Sequence, residues 1–111
     1  AGALIQQAEG EAMEIIVQVA GKAMPGRIDE LKATFRRTDG LLKKVPGFVK
    51  AEALVNYNTT QVQILYRFDD VERALAFVKN GDMRDALDPF QGLVDPNSTM
   101  VISLVEDVIE R

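Results

Sequence analysis

The sequence predicts a single α+β domain of the ferredoxin-like type, in which a βαββαβ chain forms an antiparallel sheet with its helices on one face. Three observations support this fold class. The 111 residues suit one domain. Strand-like and helix-like segments follow one another in the order strand, helix, strand, strand, helix, short helix, strand. Right-handed crossovers then bring the strands into one split βαβ sheet.

The first strand and helix are defined by composition and spacing. Residues 14–20 read EIIVQVA, a β-branched run that ends at Gly21. Apolar residues then recur at helical spacing from Ile28 to Val45, with acidic residues in the first turn and lysines in the last. Pro46-Gly47 should end this helix, and Gly40 weakens it from within.

The next two strands, residues 48–57 and 61–68, are predicted to form a hairpin around Asn58-Thr59. A loop of either two or four residues fits the turn, and both choices give the same strand register. In that register Ala51 lies opposite Tyr66 and Ala53 lies opposite Ile64.

The last elements are two helices and a strand. Asp69 or Asp70 can cap a helix that Asn80-Gly81 stops. Asp82 is then expected to cap a short helix, and residues 99–106 read as the fourth strand.

Strand alternation separates two faces of the sheet. One is almost wholly apolar and should pack against the helices: Val49, Ala51, Ala53, Val55, Tyr57, Val62, Ile64, Tyr66, Phe68, Met100, Ile102 and Leu104. The opposite face mixes Leu54, Leu65, Val101 and Val105 with polar residues. This mixture favours a half-wet interface in a homodimer or higher homo-oligomer, although scattered surface aliphatics would give the same pattern.

Composition excludes several functions. The chain has no Cys and no His, so disulfides, thiolate sites, imidazole bases and Ser-His-Asp triads are excluded within it. The net charge of −4 disfavours nucleic-acid binding. No apolar run approaches a membrane span, and a cytoplasmic location is expected. Residues 1–12 are interpreted as an N-terminal extension or a cloning remnant that precedes the domain at residues 13–111.

Two interpretations of the layer between the sheet and the helices stay open, and a ligand pocket is one of them. Ala51 and Ala53 are small, and Tyr57 and Tyr66 share their face. Small residues beside aromatic ones can leave a cavity, and a buried tyrosine hydroxyl needs a partner. The alternative is that Phe35 or Phe90 fills this space. No metal site is expected, because the clustered aspartates fall at helix starts, where capping explains them.

Three segments resemble the antibiotic biosynthesis monooxygenase-like family of dimeric α/β barrels. They are residues 25–31 (PGRIDEL), residues 45–48 (VPGF) and residues 66–70 (YRFDD) leading into Ala74-Leu75. The resemblance covers most of residues 13–105. It implies a dimeric barrel with a pocket and, in some members, oxygenation of polycyclic phenols without a cofactor.

The resemblance also gives candidate site residues. Haem-degrading members of the family use an Asn, a Trp and a His. Here Phe68 stands about where the Trp would be and Gln18 about where the Asn would be, and the chain contains neither Trp nor His. Haem degradation is therefore not expected, and no cofactor is predicted. The predicted ligand-binding residues are Gln18, Phe35, Tyr57, Tyr66, Phe68 and Phe90. Two functions stay open: a cofactor-independent monooxygenase-like protein acting on a small aromatic or apolar molecule, and a non-catalytic dimeric binding or interaction module.

Overall fold

The computed structural model describes residues 14–97 and 101–107 of the chain. Within them, four strands and three α-helices alternate as the sequence predicts. The strands are β1 (Glu14–Lys22), β2 (Phe48–Val55), β3 (Gln61–Phe68) and β4 (Val101–Asp107), and the helices are α1 (Ile28–Thr38), α2 (Val71–Lys79) and α3 (Asp82–Leu87). The α+β fold class is confirmed.

The strands form one antiparallel sheet in the order β2-β3-β1-β4. The first and last strands of the chain pair side by side, and the β2–β3 hairpin packs along the other edge of β1. Ala51 lies opposite Tyr66 and Ala53 opposite Ile64, so the predicted hairpin register is confirmed.

A bulge at the start of β2 overturns one facing prediction. The register shifts between Phe48 and Lys50, so that Phe48 pairs with Phe68 while Lys50 pairs with Arg67. Phe48 packs against the core, whereas Val49, which strict alternation places on the helix-covered face, is 45% exposed. The extra residue of a bulge breaks the two-residue alternation locally.

The β2–β3 loop is the longer of the two predicted forms. The amide of Asn56 donates to the carbonyl oxygen of Gln61 at 2.8 Å, and the Asn56 side chain accepts from the amides of Asn58 and Thr59. Tyr57 consequently lies in the turn beyond the end of β2 and is 67% exposed. Its predicted place on the packed face of β2 is wrong, because the asparagine-capped turn replaces the strand there.

Two helix ends differ from those that the sequence predicts. The α-helix predicted to continue to Val45 ends at Thr38 and continues as a 3-10 helix, Asp39–Lys44, where Gly40 lowers helix stability. Asp70 caps α2 by accepting a hydrogen bond from the amide of Glu72. Asp82 is the first residue of α3 and not its cap, because Gly81, with a φ of 94°, occupies the cap position.

The helices cover one face of the sheet and enclose the core. Buried aliphatic and aromatic side chains of β1 and β3 meet Leu31 of α1, Ala74 and Phe77 of α2, and Met83 of α3. Phe77 packs against two aromatic residues of β3, with ring centroids 5.1 Å from Tyr66 and 5.0 Å from Phe68. The layer between sheet and helices is therefore the place where a cavity can form.

Several sequence interpretations fall outside the described residues. These are the extension at residues 1–12, the first residue of the domain, Met13, and the start of the fourth strand at Thr99 and Met100. Across residues 14–97 and 101–107, no helix is long and apolar enough to cross a membrane.

Candidate ligand cavities

A cavity of about 520 Å³, here called the larger cavity, lies between the sheet and α3. Its floor is formed by Val19 of β1 and by Val62 and Ile64 of β3. Its walls carry Leu31, Met83, Leu87, Phe90 and Val94. The volume falls within the range of about 300–1,000 Å³ that small-molecule sites occupy. The larger cavity is thus an apolar chamber of ligand size.

Four polar residues are among those that line the larger cavity. Arg84 and Asp88 come from α3 and the short 3-10 turn Asp88–Phe90, and Gln91 and Asp95 follow along the chain. A mostly apolar lining with a few polar groups is typical of sites that bind a ring system and orient one polar substituent. The sequence analysis missed these four residues because they lie on a short helix and a loop. In such segments the spacing of residues does not indicate which side chains face the sheet.

A second cavity of about 280 Å³, here called the Tyr66 cavity, lies between α1, its 3-10 extension and α3. Its apolar lining includes Phe35, Leu42, Ala86, Pro89 and Phe90. Tyr66 reaches it from the centre of β3. Its charged residues are Asp39, Lys44, Asp82 and Asp85.

Tyr66 lines this second cavity, and its hydroxyl has no partner within the described residues. The residue is 1% exposed, and within the described part of the chain its hydroxyl has no hydrogen-bond partner. No side-chain polar atom described is both fully enclosed and unpaired, so the hydroxyl oxygen cannot be sealed in the core. Tyr66 contributes to the Tyr66 cavity alone among the three cavities found, so this is where the hydroxyl emerges.

Burial raises the pKa of the Tyr66 phenol well above its ordinary value of about 10. Desolvation is the cause, since phenolate would lose its water among the rings of the core. At neutral pH the phenol therefore keeps its proton and can donate a hydrogen bond, and it cannot act as a base.

Three of the six predicted ligand-binding residues converge. Phe35, Tyr66 and Phe90 line the Tyr66 cavity together, and Phe90 also lines the larger cavity. Phe90 is buried and forms a wall that the two cavities share. Ala51 and Ala53 line none of the three cavities found, so the empty space lies beside the position predicted for it.

The other three predicted residues lie elsewhere. Phe68 is fully buried and packs edge-on against Phe48, with ring centroids 6.0 Å apart. Gln18 pairs with Leu65 and Ser103 and so faces away from the helices. Tyr57 is at the hairpin, where Lys32 donates to its hydroxyl at 2.7 Å. It borders a separate open groove formed with Leu54 and Gln63.

The described residues contain no cluster of three or more carboxylates that could hold a metal ion. The aspartates predicted to act at helix starts do so in part. Asp70 caps α2, and Asp82 and Asp85 occupy the first turn of α3, where the helix dipole favours negative charge.

The fold is shared by solved structures of low sequence identity. A protein from Bordetella bronchiseptica, described as a putative antibiotic biosynthesis monooxygenase, superposes with a TM-score of 0.66 at 12% identity, over 83% of this chain and 95% of that chain. SnoaB from Streptomyces nogalater, a cofactor-independent oxygenase solved as a point mutant, gives 0.62 at 16% identity, over 83% and 90%. A protein of unknown function from Nitrosomonas europaea gives 0.67 at 20% identity, over 90% and 94%.

No protein-family model matches the chain, and no curated protein matches it in sequence. The structural likeness nevertheless confirms, at the level of fold, the resemblance that the turn and cap segments predict. The chain has the α+β fold of the antibiotic biosynthesis monooxygenase-like structures.

Proposed function

We propose that this protein binds a small aromatic or apolar molecule in the larger cavity and acts as a cofactor-independent monooxygenase-like protein. The observation that carries the proposal is the mostly apolar cavity of about 520 Å³ between the sheet and α3, with Arg84 and Asp88 among its lining residues. The fold shared with SnoaB, a cofactor-independent oxygenase, supports the same reading. The proposal includes a cytoplasmic setting, which a chain without cysteine fits.

The electrons that reduce oxygen must come from the substrate itself, because the proposal includes no redox cofactor. A polycyclic phenol with a methylene carbon between two rings can lose a proton to give a stabilised carbanion, which then reduces oxygen. The balance is CH₂ + O₂ → C=O + H₂O, so one oxygen atom enters the product and the other leaves as water. The protein would exclude water and stabilise the anion, and we assign the second role to the guanidinium of Arg84, which lines the larger cavity.

The alternative is a non-catalytic binding module with the same cavity. The observation favouring it is the state of Tyr66. Tyr66 does not line the larger cavity, and its raised pKa also removes the phenol from the candidates for a base at neutral pH. Asp88 and Asp95 are the carboxylates that line the larger cavity. Both the oxygenase and the non-catalytic binding module would bind the ligand, but only the oxygenase would convert it to product.

We also propose that the protein is a homodimer joined through the sheet face that carries no helices. Leu54, at 51% exposure, and Val105 are exposed there, and Leu65 is half-buried. Gln63 and Ser103 alternate with them along the strands. A second copy of the same face would bury the aliphatic side chains and leave the amides and hydroxyls to pair across a partly hydrated interface.

The functional proposal is tested by oxygen uptake with a tricyclic phenol that carries a benzylic methylene group. The wild-type protein should consume oxygen and yield the ketone in equal amounts, above the rate with heat-denatured protein. Val62→Phe places a ring in the floor of the larger cavity and should abolish the reaction. Val78→Phe is the matched control, because Val78 packs at the core edge and lines none of the three cavities found.

The outcomes separate the two readings. Saturable binding that Val62→Phe removes, with oxygen uptake no faster than in the denatured control, would establish the binding module and reject the oxygenase. Absence of binding to the wild-type protein would reject both. Equal loss in Val62→Phe and Val78→Phe would show that the larger cavity is not the site.

A further inference from the structure

The Tyr66 cavity differs chemically from the larger cavity. It is about half as large, at about 280 Å³ against about 520 Å³. It lies just below the usual range for drug-sized ligands, so its natural occupant is a molecule of about one ring. It also has what the larger cavity lacks, a tyrosine that is buried as a residue and whose hydroxyl oxygen is not fully enclosed and has no hydrogen-bond partner in the described chain.

That polar group defines what the ligand must offer. The Tyr66 hydroxyl is protonated at neutral pH and has no acceptor among the described residues. The hydroxyl of a buried tyrosine normally has a hydrogen-bond partner, and here that partner has to come from the cavity. A ligand oxygen with a free lone pair, such as a carbonyl oxygen, would satisfy the donor.

The walls and the charged residues define the rest of the ligand. Phe35, Leu42, Val45, Pro89 and Phe90 offer apolar surface for a ring. Around this surface stand the carboxylates of Asp39, Asp82 and Asp85 against the ammonium group of Lys44. These residues carry a net negative charge, so they would repel an anionic ligand but would not repel a neutral or cationic one.

We infer that the Tyr66 cavity is a separate binding site for a neutral or cationic single-ring molecule whose carbonyl oxygen accepts a hydrogen bond from Tyr66. This site does not depend on the proposed function of the larger cavity. Phe90 stands between the two cavities, and the two sites share that side chain without sharing a ligand.

Three small probes of similar shape test the inference by NMR titration: acetophenone, ethylbenzene and benzoate. Acetophenone has the ring and the acceptor, ethylbenzene lacks the acceptor, and benzoate adds a negative charge. Because of the added hydrogen bond, acetophenone should bind about three- to ten-fold more tightly than ethylbenzene. Benzoate should bind more weakly than acetophenone. The amide shifts should centre on Phe35 and Ala86, which do not line the larger cavity.

Two variants and one control complete the test. Tyr66→Phe removes only the donor and should bring acetophenone and ethylbenzene within about twofold of each other. Tyr57→Phe, at the exposed tyrosine, should leave the preference unchanged. Ala86→Leu fills the cavity and should abolish the shifts at Phe35 for both probes, which keeps the test decisive if Tyr66→Phe does not fold.

Three results would overturn the inference: equal affinity of the wild-type protein for acetophenone and ethylbenzene, a preference for acetophenone that persists in folded Tyr66→Phe, or shifts at Phe35 that persist in Ala86→Leu. None of these readouts involves oxygen uptake. The inference and the proposed function can therefore fail separately.

Discussion

Ala51 lies directly across the β2–β3 ladder from Tyr66, so a single methyl group stands beside the largest fully buried side chain among the described residues. Ala51 packs against the core and lines none of the cavities found. The small side chain therefore makes room for the tyrosine and not for a ligand.

Ala51→Leu should consequently destabilise the protein, because the added carbons would meet packed atoms. Overpacking of this kind costs about 1–3 kcal/mol. Ala53→Leu, two residues along the same strand, is the comparison and should cost less, because Ala53 is half-buried like Ala51 but is not among the residues that pack against the core. Urea unfolding of both variants measures the difference. A neutral or stabilised Ala51→Leu would show that empty space lies above β2 after all.

The raised pKa of Tyr66 predicts a loss of stability at alkaline pH. Below about pH 10 the phenol is protonated in both folded and unfolded chains. Above it the unfolded chain ionises while the folded chain keeps its proton, so unfolding releases a proton and is favoured as the pH rises. The loss reaches about 1.4 kcal/mol per pH unit above that point.

Tyr66→Phe removes this titrating group, so its free energy of unfolding should fall less steeply above about pH 10 than that of the wild type. Tyr57→Phe is the control that keeps the buried phenol and should follow the wild-type curve. Identical slopes for the wild type and Tyr66→Phe would contradict the burial of an uncharged phenol in the folded state.

Two glycines in left-handed conformation differ in what surrounds them. Gly47 has a φ of 79° and Gly26 a φ of 76°, but a Cβ on Gly47 would collide with the side chains of Arg73 and Asp69, whereas one on Gly26 would meet open space. Gly26→Ala should cost only backbone strain, about 1–2 kcal/mol. Gly47→Ala should cost clearly more, as measured by thermal unfolding. Equal costs would mean that Arg73 moves aside freely.

The proposed dimer predicts that one charge on the open sheet face separates the subunits. Leu65→Lys should shift the mass measured by light scattering at micromolar concentration from dimer to monomer, because a lysine in the middle of the interface would be desolvated. Leu75→Lys, on the outer side of α2, should remain dimeric. A monomeric wild-type protein, or a dimeric Leu65→Lys, would reject this interface.

The sequence predicts the fold well because its signals are local and repeated. Alternation in β2 and β3 and the β-branched run of β1 determine which strands exist and how the hairpin pairs. The bulge at Val49 could not be predicted, because Phe48 and Val49 are both apolar and so hide the shift in alternation. The asparagine-capped turn that holds Tyr57 could not be predicted either, because both loop lengths gave the same strand register.

The cavities are harder to predict because they depend on how elements from distant parts of the chain fit together. The aromatic residues Phe35, Tyr66 and Phe90 could be nominated from the sequence, and the structure brings them together. The larger cavity is lined jointly by strand residues such as Val19 and Val62 and by residues of α3 and the following 3-10 turn. No spacing rule reports such a gap.

The central claim is that the larger cavity holds an aromatic ligand, and intermolecular nuclear Overhauser effects test it most directly. With the tricyclic phenol at saturation, its ring protons should show contacts to the methyl groups of Val19, Val62 and Leu87, which line that cavity. Contacts only to Leu54 in the groove at the hairpin, or none at all from a saturating ligand, would contradict the account.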